Sequence, residues 1–247
     1  MQDNDVTHGA KAAERGNPSF VWRAGQVRRL RMVDAAAPLR DKIVLDAGCG
    51  IGTYVRALGA HTPTAFGFDI EVERLVEGRR DGVPGLIAAV GERLPYADGS
   101  IDVILSNEVL EHVADDRASA REIVRVLRPG GRAVIFVPNR LYFFETHGLY
   151  WRGHYHFGNK PLINWLPTPL RNRLAPHVRA YTASGLKALF AGAPCRIVSL
   201  TQIYGGFDNL VRRLGVFGRF LRAFWQGLER TPLRVFGISH VLVVEKI

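Results

Sequence analysis

The sequence predicts an α/β fold built on a doubly wound, mostly parallel sheet, and three observations carry that prediction. In the stretch 43–53 an apolar run ends in Asp46 and leads into Gly48, Gly50 and Gly52 at alternate positions. A second short strand, 64–69, also ends on an acid, Asp69. Single strands and single helices then alternate as far as Val137, the pattern of parallel strands joined by crossover helices.

The elements follow in order. A helical period begins at Ser19, continues through Phe20, Val21, Trp22, Val27, Leu30 and Val33, and stops near Pro38. Strand one is 43–47, and its helix runs to about Gly59. The alternate glycines suit a turn that takes positive φ and lets a ligand approach bare backbone. The helix that follows offers unbonded N–H groups at its start. Strand two is 64–69, followed by a helix over 71–79 and strand three over 86–90. Strand four is 101–106, the next helix is 114–127, and Pro129-Gly130-Gly131 ends it. Strand five is 132–137.

The glycine spacing narrows the ligand. A dinucleotide site wants G-x-G-x-x-G, but the third glycine here arrives one residue early, at Gly52, and Thr53 stands where it would be. That spacing disfavours a nicotinamide cofactor. Asp69 lies 21 residues after Gly48, where such units place a ribose-binding carboxylate.

Further motifs follow: Leu94-Pro95-Tyr96-Ala97-Asp98-Gly99, then Ser106-Asn107-Glu108-Val109-Leu110-Glu111-His112-Val113, then Leu127-Arg128-Pro129-Gly130-Gly131. With the glycine turn, these make residues 44–137 resemble a class I S-adenosylmethionine (SAM) methyltransferase. The nearest branch is the small-molecule one that includes ubiquinone and menaquinone methyltransferases. The resemblance implies a Rossmann-like sheet of seven strands with the last antiparallel, and SAM as cofactor. It implies that Asp46 helps hold the amino-acid end, while Gly48, Gly50 and Gly52, with Cys49 as a small turn residue, bring the backbone close to the cofactor. Asp69 and Ile70 would hold the ribose side. Related sequences read D-A-E-x-L-P before strand four. Here the frame is Val90-Gly91-Glu92-Arg93-Leu94-Pro95, so Val90 replaces the Asp expected on the adenine amine, and Glu92 or the backbone at Val90 and Gly91 serves instead. Asn107 and Glu108 would lie near the methionine part. An N-P-P-Y signature of nucleic-acid amino methyltransferases is absent after strand four, so no nucleic-acid partner is expected.

After Pro138 the texture changes. Residues 139–181 lack a clean period and crowd aromatics with histidines, which reads as a lid over an acceptor site. Tyr150, Trp151 and Phe157, with Trp22 from the leading helix, are the candidate acceptor contacts. His112, His154, Tyr155 and His156 are the candidate catalytic groups, and His147 is a further candidate base. Histidine titrates near neutrality, which suits proton transfer. His154-x-His156 without a matching carboxylate is a weak metal signal, and no metal site is expected.

Thr182 caps a helix that ends at Gly192, and strand six is 196–204. Strand seven is 240–245. In the long connection, Leu210, Leu214, Phe217, Leu221, Phe224 and Leu228 recur at helical steps, with Arg212, Arg213, Arg219, Arg222 and Arg230 mainly on the other side. The insertion 207–236 therefore reads as a basic amphipathic helix. It suits either an anionic membrane surface or a lid packed on its own domain.

The chain of 247 residues suits one domain, 19–247, behind a loose tail, 1–18. Its formal charge of +10, from 33 basic and 23 acidic residues, selects no partner by itself. No apolar run approaches the ~18 residues of a spanning helix, and the first 16 residues do not read as a signal peptide. The two cysteines, Cys49 and Cys195, give no expected disulfide. The expected location is the cytoplasm, with the insertion as the feature that would bring the protein to the inner membrane surface. The acceptor is expected to be small and at least partly hydrophobic, methylated on oxygen or carbon. The alternatives are an RNA or protein methyltransferase, or a SAM-binding module without turnover.

Overall fold

A computed structural model of the chain describes residues 22–247. The tail read at 1–18 and the first three residues of the leading helix lie outside the described residues. That helix, α1 (Ala24–Ala36), buries Leu30 and Val33 against the sheet.

Seven strands form the sheet in the order β10-β11-β5-β4-β1-β2-β3. They are β1 (Val44–Ala47), β2 (Ala65–Asp69), β3 (Leu86–Ala88), β4 (Ile101–Asn107), β5 (Leu127–Pro138), β10 (Cys195–Ile203) and β11 (Ser239–Lys246). β1 to β5 pair in parallel, whereas β11 runs antiparallel to both β5 and β10. The seven strands and the antiparallel last one are as the sequence implied. β1 is buried at every position, as a central parallel strand should be. One face of the sheet packs Leu45, Ile104, Ile135 and Leu242 under α4 (Asp116–Val126) and α6 (Ala183–Ala188), through Ile123 and Leu186. The other face packs Val44, Leu105, Phe136 and Val243 under α1 and α2 (Thr53–Leu58). α3 (Val72–Arg80) leads from β2 to β3.

Caps set the helix starts. The Asp115 carboxylate accepts from the Ala118 N–H at 2.9 Å and starts α4 later than the sequence suggested. Residue 114, expected to begin that helix, lies in a bend before it. Thr182 accepts from the Gly185 N–H, as expected. Pro129-Gly130-Gly131 does not follow a helix as a loop but lies within β5. Gly131 fits there because a Cβ would come within 3.0 Å of the Asp102 carbonyl.

The lid has more structure than its sequence suggested. It holds two small antiparallel pairs, β6 (Phe144–Glu145) with β9 (Lys160–Pro161) and β7 (Leu149–Trp151) with β8 (His154–His156), and then α5 (Thr168–Leu174). A buried ion pair organises it. The Arg171 guanidinium donates to Glu145 Oε2 at 2.6 Å, and both side chains are almost wholly buried. Arg171 also donates to the Val178 carbonyl. The Asn139 amide donates to the Val235 and Gly237 carbonyls, which ties the lid to the far insertion.

That insertion corrects the single-helix expectation. α7 (Asp208–Gly227) breaks at Gly215, whose φ of 55° and ψ of −122° are not helical. The chain folds back there: a Cβ on Gly218 would lie 2.6 Å from the Leu210 carbonyl, so the two halves touch. Leu210 and Phe217 therefore do not share one continuous face. Arg28 of α1 pairs with Glu229, and Asp208 accepts from the Gly25 N–H, so the base of the insertion docks on α1. Its tip is bare, with Val216 at 72% and Phe220 at 66% exposure.

Candidate active site

The carboxyl ends of β1, β2 and β4 lie side by side and open into a cavity of about 930 Å³. This is where ligands bind in open α/β sheets. The turn after β1 holds Gly48, Gly50 and Gly52 at φ of 69°, 56° and 80°. A Cβ on Gly48 would strike Val109, whereas one on Gly50 would meet open space. The Gly50 N–H donates to Asp69 Oδ2 at 2.8 Å, and the Glu71 N–H donates to Oδ1 at 2.8 Å. Asp69 is thus fixed by two backbone bonds, with further lone pairs left on both oxygens.

Asp46 sits behind the turn, wholly buried, and its Oδ2 has no hydrogen-bond partner. Burial, then the nearby Asp69, push its carboxyl well above the usual range. Cys49 packs against Gly67 of β2, and burial pushes its thiol up, so it is a packing residue. Gly48, Asp69, Ile70, Val90, Gly91, Glu92 and Glu108 line the cavity, whereas Asp46, Cys49, Gly50, Gly52 and Asn107 are not part of its lining. Ile70 and Val90 expose apolar surface there, which suits a flat base. Glu92 also accepts from the Ala114 and Asp115 N–H groups and holds the turn before α4.

Sequence reasoning missed Arg29. From α1 it reaches Asn107, Glu108 Oε1 at 2.8 Å and Ser239 Oγ at 3.0 Å, and its guanidinium lies over the Phe136 ring. On the helix it looked like one of several solvated arginines. Glu108 has a φ of 57°, a costly conformation for a side chain other than glycine. That conformation aims it at Arg29 and Ser239. Burial alone would raise the Glu108 carboxyl, but Arg29 and His147 hold it below its ordinary value. Trp22 stacks edge-on against Tyr54, with ring centroids 5.1 Å apart, beside the glycine turn rather than in the cavity lining.

Deeper in, Glu111 and His112 line the cavity and His147 closes on them, its ring 5.3 Å from that of His112. Burial, then Glu108, push the Glu111 carboxyl up. Burial, then His147, lower His112 to about 4, so its ring is neutral near neutral pH. The other catalytic candidates are not brought here. His154 and His156 are exposed on the β7–β8 hairpin, and the Tyr155 hydroxyl donates to the His147 carbonyl. Of the acceptor candidates, Tyr150 stacks on Tyr155 and His177, whereas Trp151 and Phe157 face solvent at 57% and 63% exposure. The lid wall of the cavity comes instead from Asn172, Ala175, Pro176, His177, Val178 and Arg179. The bond from the Arg179 N–H to the Glu111 carbonyl, at 3.1 Å, explains that closure.

Sheet order and cleft define the fold of SAM-dependent methyltransferases. Residues 45–135 match the family described as a methyltransferase domain. A demethylmenaquinone methyltransferase of Corynebacterium kroppenstedtii is 32% identical over 120 residues, 49% of each chain. An uncharacterized methyltransferase of Mycobacterium sp. (strain JLS) is 39% identical over 95 residues, 38% of each chain. The chain spans between a third and about half the length of the curated relatives it matches. A SAM-dependent methyltransferase from Mesorhizobium loti shares the fold at a TM-score of 0.61 and 15% identity, over 91% of this chain and 98% of that one. SAM is the cofactor that the domain and the fold imply. The residues present fit it: a backbone cradle open at Gly50, a buried Asp46 carboxylate with one oxygen unpartnered, and the Asp69 carboxylate held against the turn.

Proposed function

We propose that this protein is a SAM-dependent methyltransferase whose acceptor is small and largely hydrophobic, methylated on oxygen or carbon. One observation carries the reading: a single cavity runs from the Asp69–Ile70 edge to Glu108, His112 and the buried Glu111. Ligand pockets commonly span about 300–1,000 Å³, so 930 Å³ is at the roomy end and suits a cofactor and an acceptor together. SAM supplies a methyl group on a sulfonium, a good leaving group. The chain's own residues then bind, align and dry the site. Asp69 would hold the ribose diol, Asp46 the amine, and Arg29 with Asn107 the neighbouring polar end. Val109, Val113, Pro176 and Val178 would enclose the apolar body of the acceptor, while Glu111 and His112 receive its polar atom. The relative named a demethylmenaquinone methyltransferase supports a quinone-like ring or another lipid-derived acceptor. Incubation with methyl-labelled SAM and fractionated quinone, lipid and polar extracts tests this. Label in the quinone or lipid fraction is expected, and label confined to polar or macromolecular fractions would overturn the hydrophobic acceptor.

The same reading includes an anionic lipid surface as partner. Among the described residues no helix is long and apolar enough to cross a membrane. The tip of α7, however, bares Leu214, Val216, Phe217, Phe220 and Phe224 between Arg212, Arg213, Arg219 and Arg222. Apolar insertion with basic flanks is how interfacial helices bind. Such docking would bring the cavity to a membrane-dissolved acceptor.

A further inference from the structure

Glu111, His112 and His147 each offer one donor atom, and these atoms lie within 4.8 Å of one another. Glu111 is 1% exposed and lines the cavity; its carboxylate lies against the Glu108 carboxylate, and no protein donor reaches either of its oxygens. A buried carboxylate ordinarily has a donor, so one without it, facing a cavity beside a second carboxylate, points to a cation. Both histidines are already oriented from behind. His147 Nδ1 is 3.1 Å from Glu145 Oε1, and His112 Nδ1 is 3.3 Å from the His177 carbonyl. An acceptor on Nδ1 puts the proton there and leaves the Nε2 lone pair free, the arrangement found behind metal-ligating histidines. Arg171 fixes Glu145 in turn, at 2.6 Å.

We propose that Glu111, His112 and His147 bind a divalent first-row transition cation, with at least one coordination position open to the cavity. Two imidazoles and a carboxylate are a donor set for zinc and its neighbours. Bonds of about 2.0–2.2 Å place tetrahedral donors roughly 3.3 Å apart, so the cluster needs only a modest inward closure from its present span. His147 sits on the lid and His112 on the turn after β4, so the cation would also fasten the lid to the sheet. The open position faces the space assigned above to the acceptor, and to that extent the inference rests on the proposed function. An oxygen ligand on the acceptor, a phenol or enol, would complete the site. The sequence alone leads to no expectation of a metal site, and His154-x-His156, its weak signal for one, lies outside this cluster.

Calorimetry of the chelator-stripped full chain with zinc chloride, and visible absorption with cobalt(II) chloride, test the site without cofactor or acceptor. One equivalent should bind, and cobalt(II) should give the d–d bands of a low-coordinate nitrogen–oxygen site. Glu111→Gln and His147→Gln should each weaken zinc by ~100-fold or more, beyond the 10–100-fold typical of an outer-shell change. Thermal melts and S-adenosylhomocysteine titration of each variant check that the fold and the cofactor side persist. The double variant His154→Gln/His156→Gln should bind zinc unchanged. Absence of stoichiometric binding, or binding that survives Glu111→Gln and His147→Gln but is lost with His154 and His156, overturns the proposal. Failure of S-adenosylhomocysteine binding in the parent protein would instead count against the methyltransferase reading.

Discussion

The backbone N–H of Gly50 donates to Asp69 Oδ2 at 2.8 Å, so the turn after β1 is pinned to the end of β2. One carboxylate thereby fixes the cradle and, in the proposed function, would also hold the ribose. Asp69→Asn removes the charge and keeps the size. Charge-assisted hydrogen bonds contribute about 1.5–3 kcal/mol, so affinity for S-adenosylhomocysteine should fall by ~10–100-fold. Titration calorimetry reads it. Unchanged affinity would remove Asp69 from the site.

Asp46 gives a pH prediction. Its folded value is raised by burial and by Asp69. A raised carboxyl favours the fold fully below the unfolded value, about 4, and that contribution is lost as pH rises through the folded value. At pH 7 the ionised form therefore opposes folding of the cofactor-free protein. Asp46→Asn should raise the melting temperature at pH 7, with the gain shrinking toward pH 4, and should weaken cofactor binding. A melting temperature that drops at pH 7 would contradict this account.

The Arg171–Glu145 pair anchors the lid. Removing one partner of a buried pair typically costs about 3–5 kcal/mol, and without Arg171 the Glu145 carboxylate would keep only His147. Arg171→Met should therefore loosen residues 139–181 while the sheet persists. Limited proteolysis should cut there first, and hydrogen exchange should rise across β6 to α5. Protection equal to the parent's would show that the pair does not hold the lid.

The α7 tip makes the lipid prediction specific. Phe217→Ser with Phe220→Ser, and separately Arg219→Glu with Arg222→Glu, should each release the protein from anionic liposomes in sedimentation. Neither pair touches the cavity lining, so S-adenosylhomocysteine binding should be unchanged. Equal sedimentation of parent and variants, or none for any of them, would leave the tip without this role.

Much of the sheet is legible in the sequence because it rests on local signals. Gly48, Gly50 and Gly52 announce a positive-φ turn, and the acids at Asp46 and Asp69 mark strand ends. What depends on distant contacts is not legible. Arg29 sits 78 residues from Asn107, and nothing in the helix period separates it from its solvated neighbours. Glu145 and Arg171 meet across 26 residues, so the lid looked structureless until the pair was seen. His147 is one of several candidate histidines in the sequence, and only the fold shows that Glu145 orients it toward His112 while His154 and His156 lie exposed. At Gly215 the apolar steps of four and three argued for continuity, but one backbone conformation folded the helix back on itself.

The central claim is that a sulfonium nucleoside fits between the glycine turn and Asp69. Calorimetry of the full chain with SAM and with S-adenosylhomocysteine tests it most directly. The account predicts one site per chain for both, weakened by Asp69→Asn. No heat with either ligand, in a protein whose thermal melt shows it folded, would contradict it.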